Sequence, residues 1–264
     1  MTEKNGREGD PISRRALLTK GLRTAAALGL GAVAFNATGH LNPFAVRAMD
    51  KLSAGDLNFA GDDMCVLTCQ TTEGPCYYNG NLVRRDITEG ITGMPVRLAY
   101  RVVNVDTCTP IQNASVEIWH ADRNGNYSAP ISAMCTNDTT TRNQTFGRGI
   151  QFTDSGGWAY FDSIYPGWYS GRVTHIHARV RLDATTIVTS QFFFWDKVSE
   201  TIYRNHPLYT HRPNRDTTNT TDNIIGGNLS RSIPYIMNTK LVNNRFLQAV
   251  KTIGVRTTAT VCNA

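Results

Sequence analysis

Apolar and polar residues alternate in short runs through most of the chain beyond residue 95. In Val96-Arg97-Leu98-Ala99-Tyr100-Arg101-Val102-Val103-Asn104-Val105 the period is close to two, the repeat of a strand. Ala114-Ser115-Val116-Glu117-Ile118-Trp119-His120-Ala121 has the same character, and the turn at 106–110 predicts that these two strands are neighbours. Asp154-Ser155-Gly156-Gly157 predicts a hairpin between 150–152 and 158–161. A long strand is expected over 171–182, paired with the next over 186–195. Residues 197–205 read as a short helix, and 245–255 fit either a last strand or a helical turn. Residues 122–147, polar and rich in Asn and Thr, read as a long loop, and 214–228 as a polar surface loop. Many short strands with Gly, Pro and Asn turns predict an all-β fold, a β-sandwich with long loops.

The first 64 residues break this pattern. Ser13-Arg14-Arg15-Ala16-Leu17-Leu18-Thr19-Lys20 joins a twin arginine to leucines and a lysine. A weakly apolar, Ala/Gly-rich run follows over 22–35, and Ala32-Val33-Ala34 offers a small-residue cleavage site. These are the parts of a bacterial twin-arginine export signal, expected over 1–37. A turn-rich linker or arm is expected over 38–64 and one β domain over 65–264. Gly29 and Gly31 interrupt the apolar run, which argues against a permanent membrane span. The signal implies passage through the twin-arginine translocase to a periplasmic or extracellular location.

Composition changes the picture in two ways. The chain of 264 residues carries 27 Lys/Arg and 21 Asp/Glu, a formal net charge of +6. Six of those bases and three of those acids lie in residues 1–34, so the remainder carries only +3. No Lys/Arg cluster is left to suit nucleic acid. All six cysteines (Cys65, Cys69, Cys76, Cys108, Cys135, Cys262) fall outside the signal. An even count in an exported chain predicts disulfides, with fifteen possible pairings that the sequence leaves open. Cys65 and Cys69 have the spacing of half a metal site, but no second pair completes it.

The candidate chemistry sits in Tyr169-Ser170-Gly171-Arg172-Val173-Thr174-His175-Ile176-His177, read with Tyr127 upstream. His175 and His177, two apart on a strand, point to one face and suit two ligands of one metal. Imidazole favours first-row transition metals, and phenolate is a hard oxygen donor. If Tyr127 and Tyr169 join the pair, a trivalent cation such as ferric iron fits best. His120, His206 and His211 read as structural or surface residues, Trp119 and Trp158 as core, and Glu73 as a turn carboxylate.

Residues 71–196 resemble the intradiol ring-cleavage dioxygenases, most closely their secreted branch. The matching pieces, in family order, are Thr71-Thr72-Glu73-Gly74-Pro75, Asn113 to Asp122, Gly125-Asn126-Tyr127-Ser128 and Arg148-Gly149. Tyr165-Pro166-Gly167-Trp168-Tyr169, Arg172, His175-Ile176-His177 and Gln191-Phe192-Phe193-Phe194 complete the set, which spans about half of the chain. The resemblance implies a mononuclear Fe(III) held by Tyr127, Tyr169, His175 and His177. It implies a catechol-type substrate cleaved with O2 between its hydroxylated carbons to a muconate-type diacid. It gives Tyr169 a second role as base, Arg172 that of stabilising developing negative charge, and Gln191 that of orienting Arg172 or lining the pocket. The chain departs from the cytoplasmic members in three places. Only Ser170 to Thr174 separate the second tyrosine from the first histidine, Phe193 replaces a tyrosine, and no helical N-terminal dimerisation segment is evident. The choice of catechol therefore does not carry over, and the oligomeric state stays open. Two other readings compete: a non-catalytic secreted β-sandwich binding carbohydrate or protein, and a His-x-His zinc hydrolase. The first has no need of all four ligands; the second lacks a Glu base beside the histidines.

Overall fold

The computed structural model describes residues 65–136, 138–243, 245–257 and Cys262. The export signal expected over 1–37 and the linker over 38–64 lie outside the described residues. Among the described residues the strands are β1 (Pro95–Asn104), β2 (Thr109–Pro110), β3 (Ser115–Trp119), β4 (Arg148–Phe152), β5 (Trp158–Ile164), β6 (His175–Leu182), β7 (Thr185–Phe193), β8 (Asn238–Val242) and β9 (Phe246–Val255). Two helices, α1 (Asp196–Asn205) and α2 (Leu229–Ser232), lie between β7 and β8. The predicted all-β sandwich is the observed fold.

One sheet is built around β1, with β9 parallel on one side, then β8, and with β5 and the short β2 on the other. The second sheet runs β4-β3-β6-β7, antiparallel throughout. Leu98, Tyr100, Val102, Phe161, Ala249 and Ile253 of the first sheet share a core with Val116, Ile118, Ile176, Ala178, Val180 and Phe192 of the second. Each is fully or almost fully buried, and each such side chain contributes roughly 1.5–3 kcal/mol of transfer free energy, Ala less.

Two predicted pairings are wrong for one reason. The strands at 96–105 and 114–121 are not neighbours: β1 and β3 belong to different sheets and face each other across the core. After β2 the chain passes through Asn113, at φ +62°, and enters the second sheet, where the Asn113 N–H donates to the Thr153 carbonyl at 2.9 Å. The turn at 154–157 is tight, with Asp154 Oδ1 accepting from the N–H groups of Gly156 and Trp158, both at 2.9 Å. It nevertheless joins β4 of one sheet to β5 of the other, so it is no hairpin. Alternation marks a strand with two unlike faces; it does not say whether the apolar face meets a neighbour in the same sheet or across the core.

The paired strands expected over 171–182 and 186–195 are β6 and β7. The segment 245–255 resolves as β9, a strand central enough to be buried along almost its whole length. The helix expected over 197–205 is α1, which packs Ile202 and Tyr203 inward. The loop at 214–228 departs from expectation: Thr217, Asn219, Asp222 and Ile225 are buried. Their polar groups are satisfied within the protein, as in Asn219 Nδ2 to the Phe194 carbonyl at 3.1 Å.

All six cysteines are paired, as Cys65–Cys108, Cys69–Cys262 and Cys76–Cys135. Such bonds persist in an oxidising compartment.

Candidate metal centre

Alternation along β6 sends Ile176 and Ala178 into the core and His175 and His177 to the opposite face. That outer face is covered by loops, so both histidines are nonetheless buried. In register, Trp119 of β3 lies beside His177, and Gln191 of β7 lies on its other side. The strand starts at His175 rather than at 171, because Gly171 takes φ +80° and Tyr169 bridges back to Arg172.

Tyr127 and Tyr169 arrive on two turns that interlock. Gly125, at φ +85°, lies against the Trp168 carbonyl, and Gly167 lies against the backbone of Arg123 and Gly125. A Cβ at either position would collide with that backbone, so glycine is what lets the turns meet. The Gly167 N–H donates to the Asp122 carbonyl at 2.7 Å, and the Tyr127 N–H to that of Cys135 at 3.0 Å. Tyr203 of α1 braces the second turn by donating to the Pro166 carbonyl at 2.8 Å.

Together these elements bring all four predicted ligands to one point. His175 Nε2 lies 3.1 Å from His177 Nε2, 3.1 Å from the Tyr169 hydroxyl and 3.4 Å from that of Tyr127. His175 Nδ1 lies 2.6 Å from the Val173 carbonyl, which only accepts, so Nδ1 carries the proton and Nε2 presents a lone pair. Three polar atoms thus converge on one lone pair, more than hydrogen bonding can serve. Atoms bonded to a single first-row ion at roughly 2.0–2.1 Å stand about 3 Å apart, and that spacing fits the cluster. His177 Nδ1 is buried without a hydrogen-bond partner. No group of three or more His, Cys, Asp or Glu side chains that could hold a metal occurs among the described residues, so the two phenols are what completes a donor set.

The electrostatics fit the same reading. Burial pushes the Tyr127 phenol well above its ordinary value, and neighbouring Tyr169 adds to the effect. Burial also raises Tyr169, with Arg172 acting in the opposite sense. His175 and His177 are held well below the ordinary imidazole value, chiefly by burial, with Arg172 and His175 respectively adding to it. Burial alone therefore keeps two neutral phenols and two neutral imidazoles here. A bound cation inverts the phenol balance and favours phenolate.

Arg172 and Gln191 are joined: Arg172 Nη2 donates to Gln191 Oε1 at 2.5 Å, and Gln191 Nε2 donates to the Thr72 carbonyl at 2.8 Å. Trp119 is buried, as expected of core, yet it also stacks on His177 at 4.9 Å with 11° between planes. Glu73 is more than a turn carboxylate, since it pairs with Arg179, whose guanidinium lies 4.2 Å from the Tyr77 ring centre. His120 is structural, with its nitrogens 2.7 Å from Ser163 Oγ and 2.8 Å from the Ala121 carbonyl. Sequence reasoning passed over Asp222, a buried carboxylate that accepts from Arg172 Nε at 2.9 Å. Its only signal was an Asp amid polar residues, which also describes any exposed loop.

The fold and this cluster define a two-sheet β protein with a candidate non-haem metal centre on the outer face of one sheet. The family model described as Dioxygenase (Dioxygenase_C) matches residues 72–199, a span that holds all four donors. Among solved structures, the chain resembles an intradiol ring-cleavage dioxygenase from Tetranychus urticae at 26% identity and TM-score 0.65, covering 75% of this chain and 98% of that one. It shares its fold with the dioxygenase domain of a dioxygenase carbohydrate-binding protein fusion from Streptomyces sp. SirexAA-E, at 23% identity and TM-score 0.51, covering 71% and 97%. It shares it also with catechol 1,2-dioxygenase from Acinetobacter radioresistens, at 18% identity and TM-score 0.50, covering 96% and 82%. No curated protein matches the chain. In sequence pattern and fold, the chain resembles the intradiol ring-cleavage dioxygenases.

Proposed function

We propose that this protein is an Fe(III)-dependent intradiol dioxygenase that cleaves a catechol with O2 between its two hydroxylated carbons, giving a muconate-type diacid. The observation that carries this reading is the convergence of two phenols and a second imidazole on the single lone pair of His175 Nε2. Tyr127, Tyr169, His175 and His177 would hold the metal. A ferric ion held there would draw electron density from a bound catecholate, so that a ring carbon becomes reactive toward O2.

The protein's own groups have separable tasks. Tyr127, His175 and His177 are buried and would serve as lasting ligands, whereas Tyr169 is half-buried and would be the one able to exchange. A pocket beside the two phenols, walled by Asn126, Met134, Thr136 and the Cys76–Cys135 disulfide, gives the ring a place to enter. Tyr169 would accept a catechol hydroxyl proton on its phenolate oxygen, a base suited to a hydroxyl of similar acidity. Arg172, steadied by Gln191, places a cation where negative charge develops on the ring or its oxygens. Burial of the donors keeps water from the reacting atoms.

The same reading places the work outside the cytoplasm: export through the twin-arginine translocase into a bacterial periplasm or beyond, with no nucleic-acid partner. Three closed disulfides are consistent with that compartment. The deciding experiment is a visible spectrum of the purified protein after ferric reconstitution, with and without catechol. A tyrosinate-to-iron band that shifts when catechol is added supports the site and direct substrate binding together. A colourless protein that retains no iron overturns the reading in favour of a secreted binding module.

A further inference from the structure

We propose that Asp222 is a positioning residue of this centre, one carboxylate that aims Arg172 and holds the backbone turn supporting His175. The proposal rests on the reading of the site given above. Asp222 comes from the 214–228 loop, and its side chain is fully buried. Its Oδ2 accepts from Arg172 Nε at 2.9 Å and from the Val173 N–H at 3.0 Å. Its Oδ1 accepts from the N–H of Ile224 at 2.9 Å, and that of Ile225 lies at 3.4 Å, so the loop itself fixes the carboxylate.

Two lines run from this carboxylate into the site. Through the guanidinium, Nε is tied to Asp222 while Nη2 is tied to Gln191 Oε1, so Arg172 is gripped at two nitrogens and its plane is set. Through the backbone, Asp222 takes the Val173 N–H, and the Val173 carbonyl receives the proton of His175 Nδ1 at 2.6 Å. Asp222 thus anchors Val173 on its N–H side, and the carbonyl of the same residue, in the next peptide, sets the tautomer and direction of His175, the kind of support that ligand imidazoles depend on. No other described side chain accepts hydrogen bonds from both Arg172 and Val173. The geometry also explains why a loop polar enough to look solvent-exposed is buried.

The test uses Asp222→Asn, which keeps size and one oxygen but leaves two of the carboxylate's four donors facing an amide NH2. Arg172→Gln and the double variant complete a cycle. The full protein is reconstituted with ferric iron. Iron per chain, the visible band, kcat and KM on catechol, and hydrogen exchange of the Val173 amide are measured. Asp222→Asn is expected to lower kcat about 10- to 100-fold with little change in KM and to weaken iron retention about tenfold, the scale seen when support of a ligand is removed. The kcat loss should shrink to less than about threefold when Arg172 is already Gln, since coupled residues are not additive. Val173 should exchange faster in the variant with or without iron. A full loss that multiplies undiminished in the Arg172→Gln background overturns the positioning role, and unchanged Val173 exchange overturns the anchor. If the wild-type protein neither loads iron nor cleaves catechol, the dioxygenase reading fails, and Val173 exchange, which needs no metal, still decides whether Asp222 anchors the turn.

Discussion

Removing the three disulfides one at a time should separate stability from site chemistry, because loop size and location rank them differently. In the chain-entropy account a crosslink stabilises by restricting the unfolded chain, more for a longer closed loop. The bridges span separations of 43, 59 and 193 residues. These correspond to roughly 4 kcal/mol each for Cys65–Cys108 and Cys76–Cys135 and roughly 5 kcal/mol for Cys69–Cys262. Cys69–Cys262 should therefore be the costliest to lose in urea unfolding. The site responds to location. Cys76 follows Gly74 and Pro75, and Gly74 packs against His177, while the Cys135 carbonyl takes the Tyr127 N–H. The Cys76–Cys135 bridge thus ties together two loops that press on two of the proposed ligands, and it walls the pocket. The double variant Cys76→Ser/Cys135→Ser should lose iron affinity and kcat by about tenfold or more at a temperature where it is still fully folded. Cys69→Ser/Cys262→Ser, under the same conditions, should keep both within about threefold. Equal losses of iron and turnover in the two variants, at matched folded fraction, would refute the idea that this bridge acts on the site.

His177→Ala should abolish ferric retention, read as iron per chain after desalting; full occupancy would remove it from the ligand set. Tyr169→Phe should keep some iron but lose turnover and part of the visible band, and unchanged turnover would remove its role as base. Burial pushes the His120 imidazole down to about 4. The unfolded chain takes up that proton near 6.5, so the stability from neutral His120 is fully present above that pH and is lost as pH falls from about 6.5 to about 4. The limit is roughly 3 kcal/mol. Urea unfolding at pH 7.5 and 4.5 should show a smaller pH dependence for His120→Gln than for the wild type, and equal dependences would show that His120 is not the group responsible.

The strands and the pairing of His175 with His177 were legible in local pattern, whereas Tyr127 and Tyr169 joined them as candidate donors through the family resemblance. Alternation marks β6, and two residues of spacing put His175 and His177 on one face whatever surrounds them. Gly125 and Gly167 mark the turns that deliver Tyr127 and Tyr169, since only glycine permits that backbone approach. The sheet to which each strand belongs was not legible. It depends on which apolar face meets which, and Leu98 against Val116 carries the same letters whether the strands are side by side or face to face. Asp222 and the Trp119–His177 stack were hidden for a related reason: their partners lie 50 and 58 positions away in the chain. A buried carboxylate in a polar loop is told from an exposed one only by the donors that surround it.

The two faces of the second sheet explain why the centre needs so much support from loops. One face of β6 is satisfied by the core, where Ile176 and Ala178 pack under the first sheet. The other face carries His175, His177 and Arg179, polar groups that the sandwich itself leaves uncovered. Cover must come from elsewhere, and it comes from three segments: 69–78 along β7, the 122–147 loop with Tyr127, and the 214–228 loop with Asp222. Each segment is tied by bonds other than strand pairing: the first two to each other by Cys76–Cys135, the last to Arg172 and Val173 by one carboxylate. The sandwich can therefore remain folded while the site is disabled. This is why variants at Asp222 or Cys76 should lose iron and turnover well before they lose the cooperative unfolding of the two sheets.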